Sequence, residues 1–418
     1  MTEAQTPCGP EGVGRFVAVD DLLVYAALLS RPTGIQRVGY NLARSLVDDC
    51  GFRMVRVSGE SVQEASLSRA TPASWFTRTT ELSLSLLSHL PSSLQQRLRA
   101  LGPSIIRRLR PLGSGATVVL DRGDWVVVLG APWVAEGMTE SLLKLRRSRG
   151  VRICLLVHDL LPITAQQWFS GRVAVEAQAQ VGTLIDNADQ LLTVSKEVAD
   201  EILRIFGRSA TVVNPADPLV SENTSPQQSG PDTEPFVLTV GTMHPRKNLA
   251  ALVRIWDLWI RECESDGNDA QHVPALLIVG RRHPEDHDLH NELAKSPRAA
   301  SKIRLLHTTS DDALADLYAG CRFVIMPSHA EGWGLPVREA FVYGKPVIAT
   351  DGIPAAAGMP GALVVRAGDE SALYQAARAW WESDEPEKRS AQIQRTFVPR
   401  NWLDVAIELE RTVSTYGR

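Results

Sequence analysis

The sequence predicts an α/β protein made of two doubly wound domains, and three observations carry that prediction. Short apolar runs bounded by glycine and proline alternate with segments of helical period, the pattern of parallel sheets covered by helices. Twice, at residues 236–260 and 322–341, an apolar run ends in a glycine-bearing loop that leads into a helix. A polar, Pro- and Ser-rich stretch at 221–235 (SENTSPQQSGPDTEP) separates two segments that are each long enough for a domain. The total of 418 residues suits two such units with ample core.

Composition narrows the function. Apolar content of 44% and charged content of 22% describe a globular protein, and a net charge of -4 argues against nucleic acid as a partner. The five cysteines, Cys8, Cys50, Cys154, Cys263 and Cys321, are scattered and form no CxxC pair, which points to a reducing compartment without structural zinc. The first residues contain no apolar targeting core, and no run approaches the roughly 18 apolar residues of a membrane span. A cytoplasmic protein is expected.

In chain order, residues 15–19 read as a strand, and 22–29 are apolar enough for a second strand or a buried helical turn. Gly34, in RPTGIQRV, stands where a strand-to-helix loop needs close backbone approach, or in a plain turn. Val38, Leu42 and Leu46 give the following helix its apolar face, and 53–57 form the next strand. Residues 60–115 break the alternation. No acidic residue occurs between Leu82 and Leu120, while Arg97, Arg99, Arg107, Arg108 and Arg110 interleave with Leu94, Leu98, Leu101, Ile105, Ile106 and Leu109. Such basic amphipathic helices either pack on their own domain or meet anionic lipid headgroups, at about 1 kcal/mol per basic residue near the surface. Lys144, Arg146, Arg147 and Arg149 extend the basic character. Strands are expected at 117–120, 125–129, 153–157, 189–194 and 211–213, and Ser195 caps a helix through Phe206. His158, beside Asp159 at the end of a strand, is either a satisfied core histidine or a group placed where ligands collect.

The second half opens with a strand at 236–240, then Gly241-Thr-Met-His-Pro-Arg246-Lys247-Asn248 and a helix through Ile260. Two cations beside a helix N-terminus suit a diphosphate. The strand 275–279 ends at Gly280, a tip expected to reach a nucleotide. The following loop, 281–290, carries His283, His287 and His290 without the carboxylate pattern of a metal site and reads as solvated. A strand at 303–306 and a helix at 311–319 precede the most informative unit. There, a strand at 322–326 runs into Glu331-Gly332-Trp333-Gly334-Leu335. Pro336 opens a helix with Val337, Ala340 and Phe341 on one face, and a strand follows at 347–349. Glu331 and Glu339 are placed to face one crevice, or are an ordinary acidic loop and helix start. The tail, 397–416, has Trp402, Val405, Ala406, Leu409 and Val413 at helical spacing.

Residues 326–351 closely resemble the nucleotide-sugar signature of the family 4 glycosyltransferases, retaining enzymes of the GT-B fold. The likeness covers most of residues 230–380 and extends more loosely over the first domain. It implies two Rossmann-like domains facing across a cleft. These would be an acceptor-binding domain at 1–220, a linker at 221–235, a donor-binding domain at 236–395, and a final helix at 396–418 crossing back to the first. It implies that Glu331 meets hydroxyls of the donor sugar, Glu339 the ribose, and Arg246 and Lys247 the diphosphate. Gly241, Gly280, Gly332, Trp333, Gly334 and Leu335 would line the donor site. Gly34 stands in the family's glycine-rich loop, which here has one glycine instead of a pair. HDLLP resembles the cleft loop, with His158 near the reacting sugar, and Asn214 lies in VVNPADP, where the family's inter-domain asparagine loop has a glycine that this chain lacks.

The implied reaction moves a sugar, with retention, from a nucleoside diphosphate sugar to a glycan or lipid-linked glycan in bacterial surface polysaccharide synthesis. It needs no cofactor: no DxD-type metal signature serves the site, and the diphosphate oxygen helps to deprotonate the acceptor on the same face. Overall resemblance to O-antigen and exopolysaccharide mannosyltransferases favours GDP-mannose over a dTDP- or UDP-sugar. The expected partners are the nucleotide-sugar donor, the acceptor and an anionic membrane surface, placing the protein in the cytoplasm and peripherally on the inner face of the membrane. The alternatives are a GT-B epimerase or phosphorylase and a non-catalytic scaffold subunit. Glu331, Glu339, Arg246 and Lys247 together argue against the scaffold.

Overall fold

The computed structural model describes residues 12–28, 34–65, 116–169, 171–218, 234–267, 270–283, 285–307 and 309–415. The basic arginines Arg97, Arg99, Arg107, Arg108 and Arg110, and most of the 221–235 stretch, lie outside them. No helix among the described residues is long and apolar enough to cross a membrane. The chain forms two compact units: one runs to Ala216 and resumes at Trp402, and the other comprises Asp217–Asn401.

The first unit is built on a seven-stranded sheet in the order β3-β2-β1-β4-β5-β6-β7. Its strands are β1 (Arg15–Ala18), β2 (Arg53–Ser58), β3 (Ser61–Glu64), β4 (Trp125–Val128), β5 (Arg152–Val157), β6 (Gln190–Thr193) and β7 (Thr211–Val212). All pairings are parallel except that of β2 with β3. Strands covered on both faces need apolar residues throughout, which is why β4 reads WVVV and is buried along its whole length.

Of the two readings left open for 22–29, the described residues 22–28 take the helical one, within the helix Asp20–Leu28, opened by the two aspartates of its first turn. Two expectations are corrected here. The 117–120 run is not a strand. Thr117 makes a single bridge to Gln63 and Val119 is exposed, because the chain turns away at Asp121–Asp124. Regular structure also continues past residue 60 as β3, a short half-exposed hairpin strand that leaves little apolar signal.

The helix Gly34–Cys50 buries Val38, Leu42 and Leu46, and the C-terminal helix Trp402–Ser414 packs on it through Val405, Ala406, Leu409 and Val413. Arg15 Nη1 donates to Glu410 Oε1 at 2.6 Å, so the last helix is also tied to β1 by a largely buried ion pair.

The second unit has a six-stranded, all-parallel sheet in the order β10-β9-β8-β11-β12-β13. The strands are β8 (Phe236–Val240), β9 (Ala275–Val279), β10 (Ile303–Leu306), β11 (Phe323–Met326), β12 (Val347–Thr350) and β13 (Ala362–Val365). Beginning from β8, the order is the Rossmann one, with the winding reversing between β8 and β11. Trp256 and Trp259 of the helix Leu249–Ser265 fill the core on one side with Phe323 and Trp380. β13 is an edge strand with Val364 exposed; it reads ALVV, yet the sequence reading does not assign it. The 281–290 segment is not loop throughout, since a helix begins at His287 (His287–Lys295).

The two ends of this unit are fastened together. Arg338 donates Nε to Asp217 Oδ1 at 2.6 Å and Nη2 to Asp217 Oδ2 at 2.7 Å. Asp217 also accepts the Arg400 N–H at 2.8 Å and donates its own N–H to Arg400 O at 2.9 Å. Asp217 is 1% exposed, so loss of its cation strands a buried carboxylate. Arg338→Ala is expected to lower the unfolding free energy by about 3–5 kcal/mol, measured by chemical denaturation. A loss below about 1 kcal/mol, the surface-pair range, would mean that water reaches Asp217 instead.

Candidate active site

Where the winding of a parallel sheet reverses, the loops on either side diverge and leave a crevice at the carboxyl edge. In the second unit that place lies between the loops after β8 and β11. The loop after β8 is fixed by main-chain contact with its neighbour after β9. Gly241 N donates to Val279 O, Met243 N donates to Arg281 O, and a bridge joins Met243 to Arg282. Gly280 has φ 158°, and a Cβ there would lie 1.8 Å from Gly241 O, so no side chain fits. From this base the chain makes a tight 3-10 turn, Pro245–Lys247, before the helix Leu249–Ser265. His244 caps the turn, its Nδ1 accepting the Arg246 N–H at 3.3 Å.

The loop after β11 meets this turn directly. His329 N donates to Arg246 O at 2.8 Å, and Arg246 Nη1 donates to Ala330 O at 3.0 Å. The Glu331 carboxylate takes Arg246 on one oxygen, and Lys247 together with the Ser328 hydroxyl (2.8 Å) on the other. Glu331 and Lys247 are buried and Arg246 is mostly so. Burial alone would push the Glu331 carboxyl up, but the Arg246 and Lys247 charges and their hydrogen bonds outweigh it and hold its pKa at about 2. Burial pushes the Lys247 ammonium below the ordinary lysine value, with Glu331 opposing. His244 is held at about 3 by burial, with neighbouring His283, Arg246 and Lys247 adding to the effect.

Gly334, at φ 109°, caps the helix Leu335–Val342, and a Cβ on it would strike Ile353 at 2.3 Å. Glu339, in this helix, is 4% exposed and accepts the Tyr318 hydroxyl at 2.8 Å. Tyr318 belongs to the helix Asp311–Gly320 and stacks on Tyr343. The two carboxylates therefore have different partners, although Glu339 still acts on the Lys247 charge. Gly332 is buried, Leu335 half-buried, and Trp333 O accepts from Ala355 N at 2.9 Å. Trp333 Nε1 and Asn248 Nδ2 are buried donors with no hydrogen-bond acceptor among the described residues. Sequence reading missed Ser328 and Tyr318, which lie outside the glycine loops, and His244, which stands within one but beside more conspicuous cations. Only Asn248, following the two cations, carried a signal.

Gly34, His158 and Asn214 fall in the first unit, on segments that follow β1, β5 and β7. Gly34 is the exposed first residue of its helix. His158 is buried, its Nε2 lies 2.7 Å from Leu129 O, and burial lowers its pKa. Asn214 Nδ2 donates to Val194 O at 2.9 Å. Beside them, Asp21 was not foreseen. Its carboxylate is 1% exposed, accepts the Ala131 N–H at 2.8 Å, and is raised to about 6 by burial. The Asp20–Asp21 doublet directly after an apolar strand was the available signal.

Comparison with known proteins places the fold and the second unit. Residues 234–383 match the family model described as glycosyl transferases group 1. The serotype-specific mannosyltransferase WbdA of Escherichia coli is 30% identical over 57% of this chain and 31% of its own length. O-antigen chain mannosyltransferase B of Escherichia coli is 29% identical over 46% of this chain and 51% of its own. The chain thus spans about a third to a half of the length of these relatives. Among solved structures, the Escherichia coli trehalose-6-phosphate protein bound with UDP-2-fluoro glucose superposes with a TM-score of 0.60 at 14% identity, covering 96% of this chain and 99% of that one. WaaG, a glycosyltransferase involved in lipopolysaccharide biosynthesis, gives 0.58 at 12%, covering 96% and 100%. At such identities the structural likeness is one of fold. The chain has the two-Rossmann-unit GT-B fold, is related to the group 1 glycosyl transferases through residues 234–383, and is similar in sequence to bacterial O-antigen mannosyltransferases.

Proposed function

We propose that this chain is a retaining glycosyltransferase that moves a sugar, mannose in first place, from a nucleoside diphosphate sugar to a glycan or lipid-linked glycan acceptor in surface polysaccharide synthesis. The observation that carries the reading is the Arg246–Lys247–Glu331 cluster at the switch point of the second sheet. Two partly dehydrated cations, held in place by one carboxylate, suit a diphosphate whose negative charge grows as the glycosidic bond breaks. The buried donors Trp333 Nε1 and Asn248 Nδ2 supply further hydrogen bonds that an oxygen-rich ligand would accept. Glu331 would exchange its cations for sugar hydroxyls as the diphosphate takes Arg246 and Lys247, and Glu339, aligned by Tyr318, would hold the ribose. Mannose, and GDP as its carrier, rest on the likeness to the mannosyltransferases alone. His158 is assigned to the reacting sugar, Gly34 to the donor phosphates and the acceptor, and Asn214 to the donor. The transfer needs no metal in this reading, and the basic residues of 97–110 bring the enzyme to an anionic membrane on the cytoplasmic side.

Three outcomes follow. Release of nucleoside diphosphate from GDP-mannose should depend on an acceptor, and Lys247→Ala should lower turnover by about a hundredfold while changing the donor KM much less. A turnover within twofold of the parent would remove Lys247 from the diphosphate. In calorimetry, Glu339→Gln should weaken GDP by about 1–3 kcal/mol. Glu331→Gln frees two cations from an internal competitor, so it should bind GDP at least as tightly while transfer falls. Equal loss of affinity in both variants would misplace the sugar. Replacing Arg107, Arg108 and Arg110 with Ser should weaken sedimentation with anionic liposomes and leave binding of the nucleoside diphosphate intact; unchanged sedimentation would refute the membrane assignment.

A further inference from the structure

The histidine-bearing loop after β9 has a partner that its own sequence does not show. His283 lies against His244 of the loop after β8, with ring centroids 4.4 Å apart and the rings edge to face. Glu285 stands over both: its Oε2 is 3.9 Å from His244 Nε2 and 4.0 Å from His283 Nδ1. One ligand-type atom from each of the three residues lies within 4.8 Å of the other two. These separations are longer than hydrogen bonds and close to those of atoms arranged around a common centre. Zinc at about 2.0–2.1 Å from nitrogen and oxygen ligands in a tetrahedral shell sets them about 3.3 Å apart, so closure needs shifts of an ångström or so. Glu285, about one-third exposed, has room to make them. The two loops are already joined by the Met243–Arg282 bridge and the Met243 N to Arg281 O bond, so the histidines need not be gathered from separate mobile segments.

We propose that His244, His283 and Glu285 form a binding site for one divalent transition cation, zinc in first place, separate from the residues assigned to sugar transfer. Two imidazoles and a carboxylate leave one tetrahedral position to water, and this donor set selects zinc, cobalt or nickel over magnesium and calcium. The site is coupled to the cation turn through one proton. While His244 Nδ1 accepts the Arg246 N–H, the ring proton is on Nε2. Coordination through Nε2 moves that proton to Nδ1, where it faces the Arg246 N–H and ends the cap on Pro245–Lys247. An occupied site therefore loosens the turn that presents Arg246 and Lys247, and the cation acts as a brake and not as a cofactor.

The test uses the tag-free full chain, stripped with EDTA and desalted. Calorimetric titration with zinc chloride should show one equivalent bound, and cobalt chloride should give visible absorption bands of a four-coordinate ion. His283→Gln and Glu285→Gln should each weaken zinc by at least about tenfold, the low end of what an outer-shell change already costs. Their circular dichroism should match that of the parent. Nitrogen NMR of His244 should show Nδ1 unprotonated without zinc and protonated with it. A parent that binds no stoichiometric zinc, or variants that both bind as the parent does, would overturn the site. Zinc binding without a change of the His244 tautomer would overturn the brake.

Discussion

The second unit depends on one buried electrostatic arrangement, the Glu331 carboxylate between Arg246 and Lys247. Removing three charged groups from water is costly, and their mutual attraction offsets the cost only if each is well placed. Placement comes from both sides of the crevice: the main chain of the β8 loop is locked to the β9 loop, and the β11 loop binds the back of the cation turn. Glu331 is thus the clip that closes two loops far apart in sequence. It also keeps the cations oriented and largely out of water while it occupies them.

The main chain itself shapes this crevice. Gly280 against Gly241, and Gly334 against Ile353, are contacts in which no side chain can be accommodated, so the floor is set by backbone and not by rotamers that relax. Glu339 and Tyr318 form a second, quieter anchor, with the Tyr318 ring stacked on Tyr343. The two acidic residues that look equivalent in sequence therefore live in different settings: one is paired with two cations, and the other accepts a neutral hydroxyl.

Much of this was legible because parallel strands buried on both faces must be written as continuous apolar runs. That holds for β4, β5, β8, β9, β11 and β12, and the two-domain α/β class followed from them. β3 was missed because an edge strand needs only half an apolar pattern, β13 was passed over although it reads ALVV, and 117–120 was misread because a run that buries Val118 and Leu120 can meet its neighbour through a single bridge. In the site, Arg246, Lys247, Glu331 and Glu339 declared themselves by charge beside glycine. Their partners did not. Nothing in the sequence links Glu331 to a turn some eighty residues earlier, Glu339 to Tyr318, or His244 to His283, because those pairings are made by strand order.

The discontinuous first unit has a consequence for how the molecule is made. The helix Trp402–Ser414 covers the apolar face of Gly34–Cys50 and supplies Glu410 to Arg15 beside β1. During synthesis, the strands first to emerge must wait for the last helix before their own layer is complete. The intervening unit, whose ends Asp217 and Arg400 are bonded to each other, has all its parts earlier and can close on its own. The first unit is thus stitched from two segments separated by the whole of Asp217–Asn401, and its layer depends on a helix that only the far side of that insertion supplies.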